Sequence, residues 1–217
     1  MQKKLQNELD DALQGEDDLA SSYEVVKNLP YLNAVIKEGL RIHSTSGIGL
    51  PRVVPEGGMK IQDRFFEQGT VLSVPSYTIH RDVEVWGEDA SVFRPERWFE
   101  RADDAMQTAF NPFSYGPRFV PCDKLPWGGI FITICRACVG RNFAFLDLLV
   151  IIASVFRRFD IVLEYPDKPV SQSNHCTGVA VADNLIARDK GGLYKEATEV
   201  LRGVETTFHL AGQYSQS

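Results

Sequence analysis

The chain has 217 residues, of which 44% are hydrophobic and 24% charged, a composition typical of a folded globular protein. This composition excludes a disordered or collagen-like chain, and the length is sufficient to bury a core. Twenty-three basic and 29 acidic residues give a net charge of −6 without a long run of one sign. Charge therefore gives no indication of a nucleic-acid partner or of a basic membrane-binding surface.

Two amphipathic helices are predicted in the first 42 residues. Leucines at spacing four predict a helix over 3–14, which Gly15 ends. A second helix is predicted over 29–42, with Asn28 as a candidate N-cap and Pro30 in the first turn. Its apolar positions recur at helical spacing, namely Leu32, Val35, Ile36 and Leu40.

After the second predicted helix, the sequence consists of short runs of β-branched residues between glycines and prolines. These runs predict small strands at 52–54, 59–61 and 71–74. Residues 76–112 mix aromatic and charged residues without clean periodicity, and we expect an ordered loop with one helical turn near 77–81.

The second half contains one long helix. Apolar residues predict a helix over 138–157 and a strand over 159–164, and the tail beyond residue 167 loses apolar periodicity. The apolar run at 143–156 is interrupted by Asp147 and is too short to span a bilayer. The expected fold class is mainly α with small β-sheets.

Three charged residues form a candidate ion network. Glu38 and Arg41 lie three apart on the second predicted helix, so their side chains are neighbours and can form a bidentate pair. Arg97, flanked by aromatic residues, offers a second guanidinium. The alternative interpretation is a solvated surface pair, which contributes little to stability.

Cys138 lies just before the long apolar helix, where free N–H groups and the helix dipole favour a thiolate. Gly140 would let a flat ligand approach the backbone. A cysteine at such a position can also be a small packing residue. A structural zinc site is a further alternative, with ligands from Cys122, Cys135, Cys138, His175 and Cys176. The adjacent pair at 175–176 and the long helix between the ligand pairs count against zinc.

Four ordered motifs together carry a family resemblance. They are Glu-Gly-Leu-Arg at 38–41, Pro-Glu-Arg-Trp at 95–98, Phe-Ser-Tyr-Gly-Pro-Arg at 113–118 and Ala-Cys-Val-Gly at 137–140. In this order they resemble the C-terminal, haem-proximal half of a cytochrome P450. The stretch from 43 to 80 is similar to the fungal benzoate para-hydroxylases of that family. The resemblance covers about residues 1–118 and 137–168, and it implies a partial P450 fold over 1–168 with an unassigned, disordered tail over 169–217.

The resemblance implies a role for each matching residue. Cys138 would be the thiolate ligand of the iron of haem b. The other residues implied to bind the cofactor are Arg52, Phe113, Arg118, Arg136 and Gly140. Glu38, Arg41 and Arg97 would form the network that holds the haem-side loop. Thr45, Ser46, Gly47 and Ile48 would line a pocket for a small aromatic acid.

The family reaction inserts one atom of dioxygen into an organic substrate, here the para position of benzoate. The resemblance implies that a reductase partner supplies electrons from NADPH and that the full-length family member resides at the endoplasmic reticulum membrane. For this chain, in which the sequence shows no anchor, we expect a cytoplasmic or an unknown location. The chain begins at a helix that precedes the Glu-x-x-Arg helix, so no residue here is expected to deliver protons to bound oxygen.

Residues 119–136 depart from the family pattern, in which the Arg118 segment runs directly into Ala137. These 18 residues are framed by arginine at both joins, and we interpret them as an in-frame retained intron. The insert separates the aromatic half of the loop from its cysteine and leaves Arg118 or Arg136 as the propionate contact. We therefore expect weakened or absent haem binding and an inactive fragment. The alternative is a non-catalytic remnant or a wrongly assigned open reading frame.

Overall fold

A computed structural model describes residues 1–15, 21–44, 47–101, 103–114, 140–163, 185–189 and 194–196. The helices are α1 (Gln2–Ala12), α2 (Tyr23–Val26), α3 (Pro30–Ile42), α4 (Ser76–Ile79), α5 (Val83–Trp86), α6 (Arg97–Glu100), α7 (Asp104–Ala109) and α8 (Arg141–Arg158). The strands are β1 (Arg52–Val53), β2 (Met59–Ile61), β3 (Arg64–Phe66), β4 (Val71–Leu72), β5 (Phe159–Leu163), β6 (Leu185–Asp189) and β7 (Tyr194–Glu196). The mainly helical fold with small antiparallel sheets is confirmed.

The chain divides into two compact units. The first contains the described residues of 1–37 and 142–163 with strands β6 and β7, and the second contains the described residues of 38–141. Within the described residues, no helix is both long and apolar enough to cross a bilayer.

The first unit has an apolar core. Its fully or almost fully buried side chains come from α1, α2, α3 and α8 and include Leu5, Leu9, Leu13, Val26, Leu32, Ile36, Leu149, Val150 and Ala153. Polar contacts connect elements of this unit as well: Gln6 Nε2 donates to Asp160 Oδ1 at 2.8 Å, and the Ser21 amide donates to Ser154 Oγ at 2.9 Å. Apolar burial therefore supplies most of the stability of this unit.

The start of α3 is capped from another helix. Both carboxylate oxygens of Glu8, on α1, accept backbone N–H groups, from Tyr31 and from Leu32, each at 2.8 Å. These are first-turn N–H groups that have no partner within the helix. The sequence pattern had assigned this role to Asn28. The spacing of residues within α3 could not indicate a carboxylate supplied by α1.

Tail residues 185–189 and 194–196, for which the sequence predicts no element, form strands. β6 pairs antiparallel with β5 and with β7 in a three-stranded sheet. Long-range pairing with β5 decides this structure, and such pairing leaves little signal in the local sequence. The rest of 169–217 lies outside the described residues.

The second unit has two short β-ribbons and a loop rich in short helices. β1 pairs with β4 and β2 with β3, both antiparallel. The sequence pattern missed β3, which is short and mostly exposed. Within the described part of 76–112 the chain forms four short helices, α4 to α7, instead of one helical turn. Helices of four to six residues are too short to show a periodic pattern.

Candidate functional site

The end of α3 places Glu38 and Arg41 on one buried face. Both side chains are fully buried. Arg41 donates from Nε to Glu38 Oε2 at 3.0 Å and from an Nη atom to Oε1 at 2.8 Å, which is a bidentate pair. This geometry excludes the alternative of a solvated surface pair.

Glu38 also receives three donors from the segment around α6. Arg97 Nε and the Arg94 amide donate to Oε1, each at 2.9 Å, and Trp98 Nε1 donates to Oε2 at 3.0 Å. Arg97 is 2% exposed, so the structure brings all three predicted network residues together in the interior. Burial raises the pKa of Glu38, but the bonds from Arg41, Arg94 and Arg97 outweigh it and hold the pKa below its usual value.

The two guanidinium groups bind backbone carbonyls of the loop between α4 and α6. Arg41 donates to two of these carbonyls at 2.6 Å and to a third at 3.2 Å, and Arg97 donates to three at 3.0–3.1 Å. The accepting residues are His80, Trp86, Asp89, Ala90 and Val92. The network therefore fixes the path of a loop that has little regular backbone hydrogen bonding of its own.

A second carboxylate balances the charge. Arg97 donates to Asp89 Oδ1 at 3.2 Å, and Arg94 donates to Asp89 Oδ2 at 2.5 Å. The bond from Arg94 is the main cause that holds the pKa of Asp89 below its usual value. Asp89 is 35% exposed, in contrast to Glu38. Arg41 also lies over the ring of Trp86, at 5.0 Å from its centroid.

His80, which no sequence pattern singled out, is completely buried in the structure. Its Nδ1 lies 2.6 Å from Ser44 Oγ and 3.2 Å from the Arg41 carbonyl, and its Nε2 lies 3.1 Å from the Asn111 amide nitrogen. Burial is the main cause that lowers the pKa of His80, from 6.5 to about 4. A single histidine in an aperiodic segment carries no spacing signal by which it could have been found.

The ring of His80 belongs to an aromatic cluster. Its centroid lies 5.7 Å from that of Phe110 and 6.2 Å from that of Trp86. Trp98 lies 4.8 Å from Phe110 and 5.7 Å from Trp86. The cluster packs directly beside the buried charges, so aromatic rings and ion pairs share one interior.

The structure describes several of the residues predicted to bind substrate or cofactor. Arg52 is partly buried on β1, and its guanidinium donates to the neighbouring Pro51 carbonyl at 3.1 Å. Phe113 is half-buried, and Gly140 is exposed one residue before α8. Thr45, Ser46, Arg118, Arg136, Cys138 and the other candidate zinc ligands lie outside the described residues. Within the described residues no group of three metal-binding side chains occurs.

Gly47 and Ile48 lie against the start of α4. The Tyr77 amide donates to the Gly47 carbonyl at 3.0 Å, and Ser73 Oγ donates to the Ile48 carbonyl at 2.9 Å. Gly49 has φ 74°, and a Cβ there would lie 2.1 Å from the Val74 carbonyl oxygen, so only glycine allows this approach.

Arg52 pairs with Leu72 between β1 and β4, and the segments next to these two strands carry exposed apolar side chains. Ile48, Leu50, Val74 and Tyr77 on these hydrogen-bonded segments are 44–68% exposed. Among the residues that the structure describes, no carboxylate forms an ion pair with Arg52. Arg52 can therefore bind a carboxylate such as a haem propionate, whereas the predicted thiolate ligand lies outside the described residues.

The family model and the similar proteins found by comparison indicate the same family. The family model described as Cytochrome P450 matches residues 1–120. Benzoate 4-monooxygenase bphA of Aspergillus niger is 44% identical over 165 residues, 75% of this chain and 28% of that protein. Pisatin demethylase of Fusarium vanettenii is 34% identical over 155 residues, 71% of this chain and 26% of that protein. The chain thus spans less than a third of the length of these relatives.

Proposed function

Because the chain belongs to the cytochrome P450 family, we propose that it forms the haem-proximal part of a haem-thiolate monooxygenase that acts on an aromatic acid. The buried network of Glu38, Arg41 and Arg97 carries the proposal. It binds the loop between α4 and α6, and this use of three buried charges is costly unless the loop must hold a fixed position. The proposed reaction is insertion of one oxygen atom at the para position of benzoate, supported by the 44% identity to a benzoate 4-monooxygenase.

Haem b would be held by residues from both ends of the cysteine loop. The Cys138 thiolate would bind the iron, and Arg52 with Arg118 or Arg136 would bind the propionates. Phe113 would lie against the thiolate, and Gly140 would let the flat ring approach the backbone. When bound, the haem supplies the oxygen chemistry, and the protein supplies binding and orientation.

Other residues of the chain would serve the substrate and the scaffold. Thr45, Ser46, Gly47 and Ile48 would border the aromatic-acid pocket, and the approach of Gly49 to Val74 fixes the described part of that border. Glu38, Arg41 and Arg97 would have a structural role, since their donors and acceptors already satisfy one another. Electrons would come from NADPH through a reductase, with the complete protein at the endoplasmic reticulum membrane.

The proposed domain organisation is a partial P450 domain over 1–168, followed by the tail 169–217. Within this domain, residues 119–136 would interrupt the haem site. The match to the family model ends at residue 120, within two residues of the start of this segment. An insertion between Arg118 and Cys138 would separate the iron ligand from the scaffold, so we expect weak haem binding and no oxygen chemistry from this chain alone. The end of the family match at residue 120 also favours a second candidate, in which the chain is a non-catalytic remnant or comes from a reading frame with a retained intron.

Transcript sequencing separates these two candidates. If the mature message joins the codons of Arg118 and Ala137, residues 119–136 belong to a retained intron and the parent is a complete monooxygenase. If only the long form is found, the retained-intron hypothesis is wrong.

The reaction is tested with the protein encoded by the mature transcript, supplied with an NADPH-dependent reductase and benzoate. We expect 4-hydroxybenzoate from the unmodified protein and from Cys176→Ser, and none from Cys138→Ser. Equal product formation by the two serine variants would contradict the assignment of Cys138. Product absent from the unmodified protein would contradict the proposed substrate.

A further inference from the structure

We propose that His80 is a positioning residue for the cysteine loop, because its imidazole joins the end of α3 to the turn from which that loop departs. The inference rests on the proposed function, since it takes Cys138 as the iron ligand. It assigns His80 a task separate from the network of Glu38, Arg41 and Arg97, which binds the loop between α4 and α6.

The hydrogen bonds of the ring fix which nitrogen carries the proton. The Asn111 amide can only donate, so Nε2, at 3.1 Å, must accept and is unprotonated. The proton is therefore on Nδ1, where Ser44 Oγ at 2.6 Å and the Arg41 carbonyl at 3.2 Å can accept it. Ser44 Oγ has its own acceptor, the Leu40 carbonyl at 3.3 Å. His80 is thus a neutral bridge with one acceptor side and one donor side.

The acceptor side holds the first residue of a turn. Asn111 Oδ1 is buried and has no hydrogen-bond partner within the described part of the chain, and the Asn111 backbone N–H donates to His80. The Asn111 carbonyl in turn accepts the Ser114 amide at 3.0 Å. Ser114 has φ 62°, a conformation that non-glycine residues adopt only when their surroundings fix it.

The donor side and the backbone hold the ring to α3. The His80 carbonyl accepts from Arg41 at 2.6 Å, so both the ring and the main chain of His80 contact the last turn of that helix. Phe110, immediately before the turn, packs against the ring with centroids 5.7 Å apart. The position of the turn at 111–114, the last described residues before Cys138 in the sequence, therefore depends on the imidazole.

Two substitutions separate the two sides of the ring. In His80→Gln the side-chain amide can supply an acceptor at the position of Nε2. In His80→Asn the shorter side chain reaches only the position of Nδ1 and leaves the Asn111 N–H without its acceptor. Both variants lose the aromatic ring, and His80→Gln also loses the Nδ1 donor, so faster exchange at Asn111 in His80→Asn reports the lost acceptor for the Asn111 N–H and not the loss of ring packing.

The test is amide hydrogen exchange of the full chain at neutral pH, resolved at Asn111 and Ser114. We expect exchange at both amides to be faster by about tenfold in His80→Asn than in His80→Gln, because one hydrogen bond and the turn behind it are lost. Exchange at the Leu40 amide in α3 should be equal in the two variants, which controls for unfolding. Equal exchange at Asn111 and Ser114 in both variants would overturn the proposal.

A haem titration of the two variants made in the chain without residues 119–136, followed by absorbance, extends the test to the iron site. We expect weaker haem binding by His80→Asn than by His80→Gln, and equal binding would contradict positioning of the cysteine loop. If none of the proteins binds haem, the proposed haem site fails in this chain, while the exchange result still decides whether His80 holds the turn.

Discussion

The two units of this chain have cores of opposite character. The first buries leucine, isoleucine and valine side chains from α1, α3 and α8. The second buries Glu38, Arg41, His80 and Arg97 beside a small apolar cluster around Trp86. An apolar core tolerates approximate packing, whereas a buried charge is stable only when each donor and acceptor has its partner. The polar interior belongs to the unit that carries the irregular loop, and its side chains bind the carbonyls that regular structure would have satisfied.

The largest expected effect comes from removing the central charge of the polar interior. Glu38→Gln keeps the shape but leaves Arg41 and Arg97 buried without their carboxylate, and we expect a loss of about 4 kcal/mol in the free energy of unfolding. Urea denaturation measures it. Glu100→Gln is the matched control, because Glu100 pairs with Arg94 at the surface, where its carboxylate is 56% exposed, and we expect almost no loss. Similar losses in the two variants would contradict the contrast.

An apolar truncation in the first unit should cost slightly less. Leu9 is fully buried, and Leu9→Ala should lower the free energy of unfolding by about 3 kcal/mol through lost burial and the cavity left behind. The loss should be the same at pH 7 and pH 5, since no titrating group takes part. If the loss in the free energy of unfolding differed between pH 7 and pH 5, the core of the first unit would contain a titrating group, which would contradict the contrast between the two cores.

Acid should destabilise the polar interior through His80. Its pKa is about 4 in the folded chain and 6.5 when unperturbed, so the unfolded chain takes up the proton first as the pH falls. The contribution of neutral His80 to the free energy of unfolding is complete above pH 6.5, decreases as the pH falls from 6.5 to 4, and is lost below pH 4. The whole change is at most about 3 kcal/mol.

The groups around the ring do not obscure this effect. Arg41 and Arg81 lie close enough to lower the pKa of His80 further, and neither titrates in this range. Glu38 has a lowered pKa, so its contribution is lost only at more acidic pH, from its usual value of 4.5 downward. Urea midpoints at pH 7 and pH 5 should therefore differ less in His80→Gln than in the unmodified chain. An equal pH dependence of the two proteins would refute the assignment to His80.

The smallest expected loss in the free energy of unfolding comes from removing a single hydrogen-bond donor to Glu38. Trp98→Phe keeps an aromatic ring in the cluster but removes the N–H that Glu38 Oε2 accepts at 3.0 Å. We expect a loss of about 1–2 kcal/mol in the free energy of unfolding, since the carboxylate keeps its other donors. An unchanged urea midpoint would show that this bond contributes nothing.

Sequence was a good guide where periodicity or spacing determines the structure. Helix α3 was predicted over 29–42 and observed over Pro30–Ile42, and the spacing of Glu38 and Arg41 indicated their pairing. The long helix α8 and strand β5 were also predicted, within three residues at each end. In these elements a local pattern and the final packing agree.

Prediction from the sequence failed where contacts between residues far apart along the chain determine the structure. Glu8 caps α3 from another helix, and His80 binds residues 36 and 31 positions away. Strands β6 and β7 depend on pairing with β5. None of these contacts leaves a periodic signal, because each needs the chain to fold before the partners meet. Arg97, the distant member of the Glu38 network, was singled out by its aromatic neighbours, and the family motif then assigned it to the network.

The central claim, that Cys138 is a haem ligand whose loop is interrupted by residues 119–136, is tested most directly by haem titration and the carbon-monoxide difference spectrum. We would compare the intact chain, the chain without residues 119–136, and that shortened chain with Cys138→Ser. We expect the thiolate-type band from the shortened chain, a weak or absent band from the intact chain, and no such band after Cys138→Ser. A thiolate-type band that persists in Cys138→Ser, or that is equally strong with and without residues 119–136, would contradict the claim.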